Sequence, residues 1–208
     1  IKKTILFYPF KLNSYLCDEK VTYFYTKYLN MKTIKVADKE FGLYIKQEEI
    51  EAVIKRLAVQ ISNDYKDKNP IFLIMLNGAF MFASQLLKEI DSDCETSFVK
   101  YSTYSGDEST CELKELIGLN TELKGRDIIV IEDIIDTGFT MNCLIQRLHS
   151  MEVASVKIAT MLFKPNKFQF DYHIDYIGMN IDNEFIVGYG LDYKEHGRNY
   201  ASIYKVIE

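Results

Sequence analysis

The chain has 208 residues, a formal net charge of -5 and a pI near 5.4, with 48% hydrophobic and 26% charged residues. That length can bury a full core without metal or disulfide staples, and ten Gly and three Pro exclude a collagen-like or low-complexity polypeptide. The acidic balance argues against a sequence-independent nucleic-acid binder, which needs clustered Lys and Arg, and no apolar run approaches the roughly twenty residues of a membrane span.

Residues 1 to 30 mix Tyr, Phe and Lys densely, including Tyr23, Phe24, Tyr25 and Tyr28, with no sustained helical or strand period. They read as a non-native or extra N-terminal extension. Met31 opens Met31-Lys32-Thr33-Ile34-Lys35-Val36, an ordinary start for a single domain over residues 31 to 208. The alternative, an authentic extension whose aromatics pack on a neighbouring subunit, stays open. The N-terminus lacks a compact apolar stretch with a small-residue cleavage site. Cys17, Cys94, Cys111 and Cys143 form no C-x-x-C pair and have no His at zinc-ligand spacing, so reduced thiols in a cytoplasmic protein are expected.

From Gln47 to Tyr65, the residues Ile50, Val53, Ile54, Leu57, Ala58 and Ile61 recur at helical spacing and predict an amphipathic helix. Pro70 punctuates, Ile71 to Leu76 is an apolar run of strand length, and Asn77-Gly78 precedes a second helical pattern over Phe80 to Ile90. Phe98 to Tyr104 is a further strand candidate. Tyr101 to Glu115 is rich in Ser, Thr and Gly and reads as a mobile loop, with a plain hairpin connection as the alternative. Asp127 to Glu132 repeats the buried-strand pattern, and Gly138 to Met151 the helical one. Val156 to Phe163, Tyr176 to Asn180 and Phe185 to Tyr189 complete the strands. Strands alternating with helices imply an α/β fold with a mostly parallel sheet. Ligands of such folds collect beyond the carboxyl ends of the strands, so the residues there carry the chemistry.

The richest such stretch is Glu132-Asp133-Ile134-Ile135-Asp136-Thr137-Gly138-Phe139-Thr140. Thr137 to Thr140 supply backbone N–H groups and two hydroxyls where a helix begins, a geometry suited to a phosphate monoester. The carboxylates before them can accept from sugar hydroxyls and approach a hydrated magnesium ion. A phosphorylated sugar satisfies both halves.

The run Ile129 to Thr140, IVIEDIIDTGFT, resembles the phosphoribosyl pyrophosphate motif of type I phosphoribosyltransferases, in the form found in hypoxanthine-guanine phosphoribosyltransferases. The likeness extends from about Val36 to the C-terminus. It implies a twisted, mostly parallel sheet flanked by helices, with a small hood formed by N- and C-terminal segments. It also implies a Mg2+-dependent transfer in a cytoplasmic homodimer or homotetramer, joining a 6-oxopurine to the ribose 5-phosphate of phosphoribosyl pyrophosphate, with no nucleic-acid or membrane partner.

Residue by residue, the resemblance puts a non-proline cis peptide at Leu76-Asn77-Gly78 against the pyrophosphate, where Asn77 stands in place of the Lys of many members. Glu132 and Asp133 would hold the ribose and magnesium, Thr137, Gly138, Phe139 and Thr140 the 5-phosphate, and Arg198 the pyrophosphate. Asp136 would lie near purine N7 and act in proton transfer. Lys164 would donate to O6, Phe185 would stack on the base, and the backbone of Ile186 would meet its edge. Asp192, in Gly188 to Tyr193, would contact a second magnesium through water. Thr103 and Tyr104 match a lid that closes over the site. A regulator on the same fold, binding phosphoribosyl pyrophosphate or nucleotide without turnover, is the alternative from another class. The acidic charge and Asp136 favour the enzyme.

Overall fold

The computed structural model describes residues 33–103, 113–118 and 122–207. Its centre is a six-stranded sheet in the order β5-β4-β3-β6-β7-β8, built from β3 (Ile71–Met75), β4 (Glu95–Thr103), β5 (Leu113–Ile117), β6 (Asp127–Ile135), β7 (Ser155–Phe163) and β8 (Tyr176–Asn180). All neighbours pair in parallel except β4 and β5. Every residue of β3 is buried, as a strand flanked on both sides by parallel partners requires.

Helix α1 (Gln47–Asp64) buries Ile50, Ile54, Leu57, Ala58 and Ile61, the expected stripe. Its first turn is tied by Glu49, whose carboxylate accepts from Lys46 N–H at 2.9 Å. Helix α2 (Phe80–Glu89) turns Phe82, Ala83 and Leu86 inward, and α3 (Phe139–Ser150) turns in Met141, Cys143, Leu144 and Leu148. α1 packs against α2 and β8, α2 against β3 and β6, and α3 against β7.

A second, four-stranded antiparallel sheet has the order β1-β2-β10-β9: β1 (Thr33–Val36), β2 (Lys39–Ile45), β9 (Ile186–Val187) and β10 (Ile203–Val206). It is the hood, drawn from both ends of the described chain, with its own small core of Val36, Phe41, Val187 and Tyr204.

Several expectations are corrected. β1, β2 and β10 are strands that period alone did not reveal, and the strand expected over Phe185 to Tyr189 is only Ile186–Val187. The stretch read as a loop from Tyr101 to Glu115 begins within β4 and ends within β5, because these two strands pair antiparallel. Thr103 closes β4, whereas Tyr104 and the expected lid centre lie outside the described residues, as do residues 1 to 30. Cys94 is a free thiol as expected, but Cys143 is disulfide-bonded, which the spacing of cysteines along a chain does not disclose. No described helix is long and apolar enough to cross a membrane.

Candidate active site

β3, β6 and β7 are adjacent and parallel, so their carboxyl ends open on one edge of the sheet. Leu76-Asn77-Gly78 leaves β3 there, Asp136-Thr137-Gly138 leaves β6, and Lys164 leaves β7. The Leu76-Asn77 peptide is cis.

β6 runs on to Ile135, which pairs with Phe163, so Glu132 and Asp133 lie inside the strand rather than in the turn after it. Consecutive strand residues face opposite sides. Asp133 lies against Gly78 so closely that a Cβ there would fall 1.5 Å from Asp133 Oδ2. Its Oδ1 accepts from Ile134 N–H at 2.8 Å. Burial pushes Asp133 up to about 6, opposed by backbone N–H donors and the charge of Arg198 and reinforced by Asp192. Glu132 is partly covered, but its Oε2 is fully buried and has no hydrogen-bond partner. Burial raises Glu132 well above the usual carboxylate range, and the Asp133 charge adds to the rise.

Asp136, Thr137 and Gly138 form the loop into α3. Gly138 caps the helix in the left-handed region, at φ 88°. Its carbonyl accepts both Asn142 N–H, at 2.9 Å, and Tyr172 OH, at 3.0 Å. Thr137 Oγ1 accepts weakly from Phe139 N–H at 3.4 Å. Glu132, Asp136, Thr137, Gly138, Phe139 and Thr140 help to line an open cleft of about 380 Å³. A helix N-terminus with two hydroxyls beside such a cleft is an anion cradle.

Lys164 is 6% exposed; its Nζ donates to Glu184 O at 3.1 Å and lies 3.4 Å from Asp136 Oδ2. Lys167 Nζ lies 3.3 Å from the same oxygen, while Asp136 Oδ1 is buried and unpartnered. Lys167 was missed by the sequence reading, although the rule of inspecting residues past a strand end reaches it across the turn at Pro165.

In the hood, Phe185 is 45% exposed, unusual for a ring that would otherwise pass as core. Tyr193 meets it edge-on at 5.5 Å and Phe41 supports it at 6.0 Å. Ile186 is buried in β9. Arg198 is held by Asp192 at 2.7 Å, Glu195 at 3.2 Å and Gly190 O at 2.9 Å. The hood loop docks on the cis-peptide turn: a Cβ at Gly190 would come 2.0 Å from Gly78 O.

The expected magnesium set Glu132, Asp133 and Asp192 is not brought together as a cage: among the described residues no three His, Cys, Asp or Glu side chains cluster for a metal. Asp192 turns to Arg198, and Glu132 and Asp133 face apart. Mg2+ commonly takes only one or two carboxylates plus waters and substrate oxygens, so a buried, unpartnered Glu132 Oε2 beside a phosphate cradle fits an ion that arrives with its ligand.

A family profile described as the phosphoribosyl transferase domain matches residues 44–194. The chain is 39% identical over 159 residues to a hypoxanthine-guanine phosphoribosyltransferase of Staphylococcus epidermidis, covering 76% of this chain and 89% of that protein. It is 44% identical over 154 residues to its namesake in Streptococcus thermophilus, covering 74% and 86%. A crystal structure of a hypoxanthine phosphoribosyltransferase from Staphylococcus aureus superposes with a TM-score of 0.77 at 34% identity, over 88% of this chain and 95% of that one. A hypoxanthine-guanine phosphoribosyltransferase from Bacillus anthracis superposes with a TM-score of 0.75 at 32% identity, over 80% and 96%. With the cradle, the cis-peptide turn and the hood in one chain, these matches establish that the protein belongs to the phosphoribosyl transferase family.

Proposed function

We propose that the protein is a purine-salvage enzyme that transfers ribose 5-phosphate from phosphoribosyl pyrophosphate to hypoxanthine or guanine, releasing pyrophosphate. The observation that carries this reading is the buried Lys164 beside Asp136 at the lip of the phosphate cradle. A lysine donor suits the O6 of a 6-oxopurine, which an adenine amino group lacks.

In this reading the N–H groups and hydroxyls of Thr137 to Thr140 hold the 5-phosphate, so remote binding energy orients the ribose. Glu132 and Asp133, on opposite sides of β6, would accept from the ribose hydroxyls. Lys164 donates to O6 while Phe185 stacks on the ring, and the backbone of Ile186 meets the purine edge. As the C1–oxygen bond breaks, its electron pair leaves with pyrophosphate and purine N9 bonds to C1. The proton on N7 passes to Asp136, whose Oδ1 has no other partner. Arg198, carried by Asp192 and Gly190, would hold the pyrophosphate, and the backbone of Leu76-Asn77-Gly78 would contact the leaving group. Glu132, Asp133 and Asp192 are the residues that would hold Mg2+, which would supply positive charge to the pyrophosphate.

We place the enzyme where phosphoribosyl pyrophosphate is made, in the cytoplasm, since so highly charged a sugar does not cross a bilayer. A homodimer or homotetramer is supported by the exposed apolar residues Phe80, Phe98, Leu116 and Ile117. Residues 31 to 208 form the catalytic domain.

The test is product formation with phosphoribosyl pyrophosphate, Mg2+ and hypoxanthine, guanine, xanthine, adenine or uracil in separate reactions. Nucleotide is expected only with 6-oxopurines, and equally well from a chain beginning at Met31. Asp136→Asn should lower kcat by ~10² to 10⁴ while leaving nucleotide affinity largely intact. Equal loss of both would remove Asp136 from the chemistry, and tight phosphoribosyl pyrophosphate binding without turnover would indicate a regulator.

A further inference from the structure

Past Lys164 the chain turns back along the phosphate loop, and each residue of that loop is held by one residue of the return. Lys167 Nζ lies 3.3 Å from Asp136 Oδ2, Gln169 N–H donates to Thr137 O at 3.1 Å, and Tyr172 OH donates to Gly138 O at 3.0 Å. The return is itself braced, with Phe168 edge-on to Phe163 at 5.3 Å and to Tyr172 at 4.9 Å. Lys167 N–H also donates to Lys164 O at 3.1 Å, closing the turn that brings both lysines to one carboxylate.

A carboxylate is a two-fold rotor, and nothing intrinsic decides which oxygen meets a ligand. At Asp136 the environment fixes the setting of the carboxylate, because both lysines grip Oδ2 while Oδ1 is buried and unpartnered. In the proposed reaction, however, Lys164 donates to the base, and it can keep Glu184 O while releasing Asp136. Lys167 then remains as the cation on Oδ2.

We propose that Lys167 is a positioning residue, which keeps hold of Oδ2 of Asp136 when Lys164 turns to the base and so fixes the setting of the carboxylate throughout the reaction. The proposal rests on Asp136 being the base-facing acid. Lys167 is only part-covered, with a side-chain exposure of 36%, and an ion pair that open contributes little to stability. Activity and fold should therefore separate on substitution.

The experiment compares Lys167→Met and Lys167→Arg with the unaltered protein in kcat, KM for phosphoribosyl pyrophosphate, inosine monophosphate affinity by calorimetry, thermal midpoint, and amide exchange of the segment 136–141 without ligand. Lys167→Met is expected to lower kcat roughly tenfold or more, the scale at which small misplacement of a reacting group is felt, with KM and nucleotide affinity held within about threefold. Exchange over 136–141 should quicken, the midpoint should stay put, and Lys167→Arg should restore most of kcat. An unchanged kcat in Lys167→Met, or a fall matched by nucleotide affinity and not rescued by Arg, would overturn the proposal. If the unaltered protein transfers ribose phosphate to no base, the proposed function fails and amide exchange alone decides: quickened exchange in Lys167→Met upholds the hold on the loop, unchanged exchange ends it.

Discussion

Gly138 shows how much one position can carry. Its φ of 88° lies where a side chain is strained, and a Cβ would sit 2.6 Å from Phe168 Cε2 and 2.7 Å from Tyr172 OH. Both rings belong to the return segment, so an added methyl pushes on the brace as well as on the loop. Gly138→Ala should cost about 1 to 3 kcal/mol in stability and raise KM for phosphoribosyl pyrophosphate more than it lowers kcat, read by thermal melts and steady-state kinetics. The motif alone put Gly138 at the turn from a strand into a helix. It did not show that Phe168 and Tyr172, thirty or more residues on, require a glycine there. Asp136 and Lys164 were legible for a simpler reason, since each follows a buried strand. Lys167 follows the same strand one turn later and carries no separate signal in a single sequence.

Among the elements, the parallel strands were legible because burial on both faces writes continuous apolar runs such as Ile71–Met75. The hood strands obey no such rule. β2 buries Phe41 and Gly42 in succession and β10 buries only its first two residues, so neither alternates cleanly. Their identity comes from pairing across the chain, Tyr204 with both Leu43 and Val187. The same holds for β5, a strand with Glu115, Leu116 and Ile117 exposed that pairs along the edge β4 offers. The hood reaches the sheet through Gly190, whose φ of 96° and close approach to Gly78 O leave no room for a side chain. Gly190→Ala should lift the hood loop from the cis-peptide turn and displace Arg198, which donates to Gly190 O. A loss of roughly tenfold or more in kcat/KM is expected, with the central sheet intact by circular dichroism. A variant with full activity would separate the hood loop from pyrophosphate handling.

At the scale of the whole molecule, the site is held at a cost to stability. Asp133 titrates at about 6 in the folded chain, against ~4 when unfolded. The folded state therefore binds the proton more tightly. The stabilisation is fully present below about pH 4 and is lost as pH rises through about 6. Glu132, also raised, acts in the same sense. The melting temperature of the ligand-free protein, measured in chelator, should fall between pH 5 and 7.5. Asp133→Asn should flatten that fall and melt a few degrees higher at neutral pH, where ~1 kcal/mol corresponds to roughly 2 to 4 °C. A fall of the same depth in the variant would place its origin elsewhere.

The hood also sets an order of events during synthesis. β2 emerges early but pairs with β10, and Val206 N–H donates to the carbonyl of Phe185, so the face that offers this ring is finished only by the last described strand. A nascent chain therefore presents every strand of its central sheet before β10, yet cannot finish the face that offers Phe185 until β10 has emerged. A truncated translation product would carry the strand-to-helix turn at Gly138 without the finished face that offers Phe185.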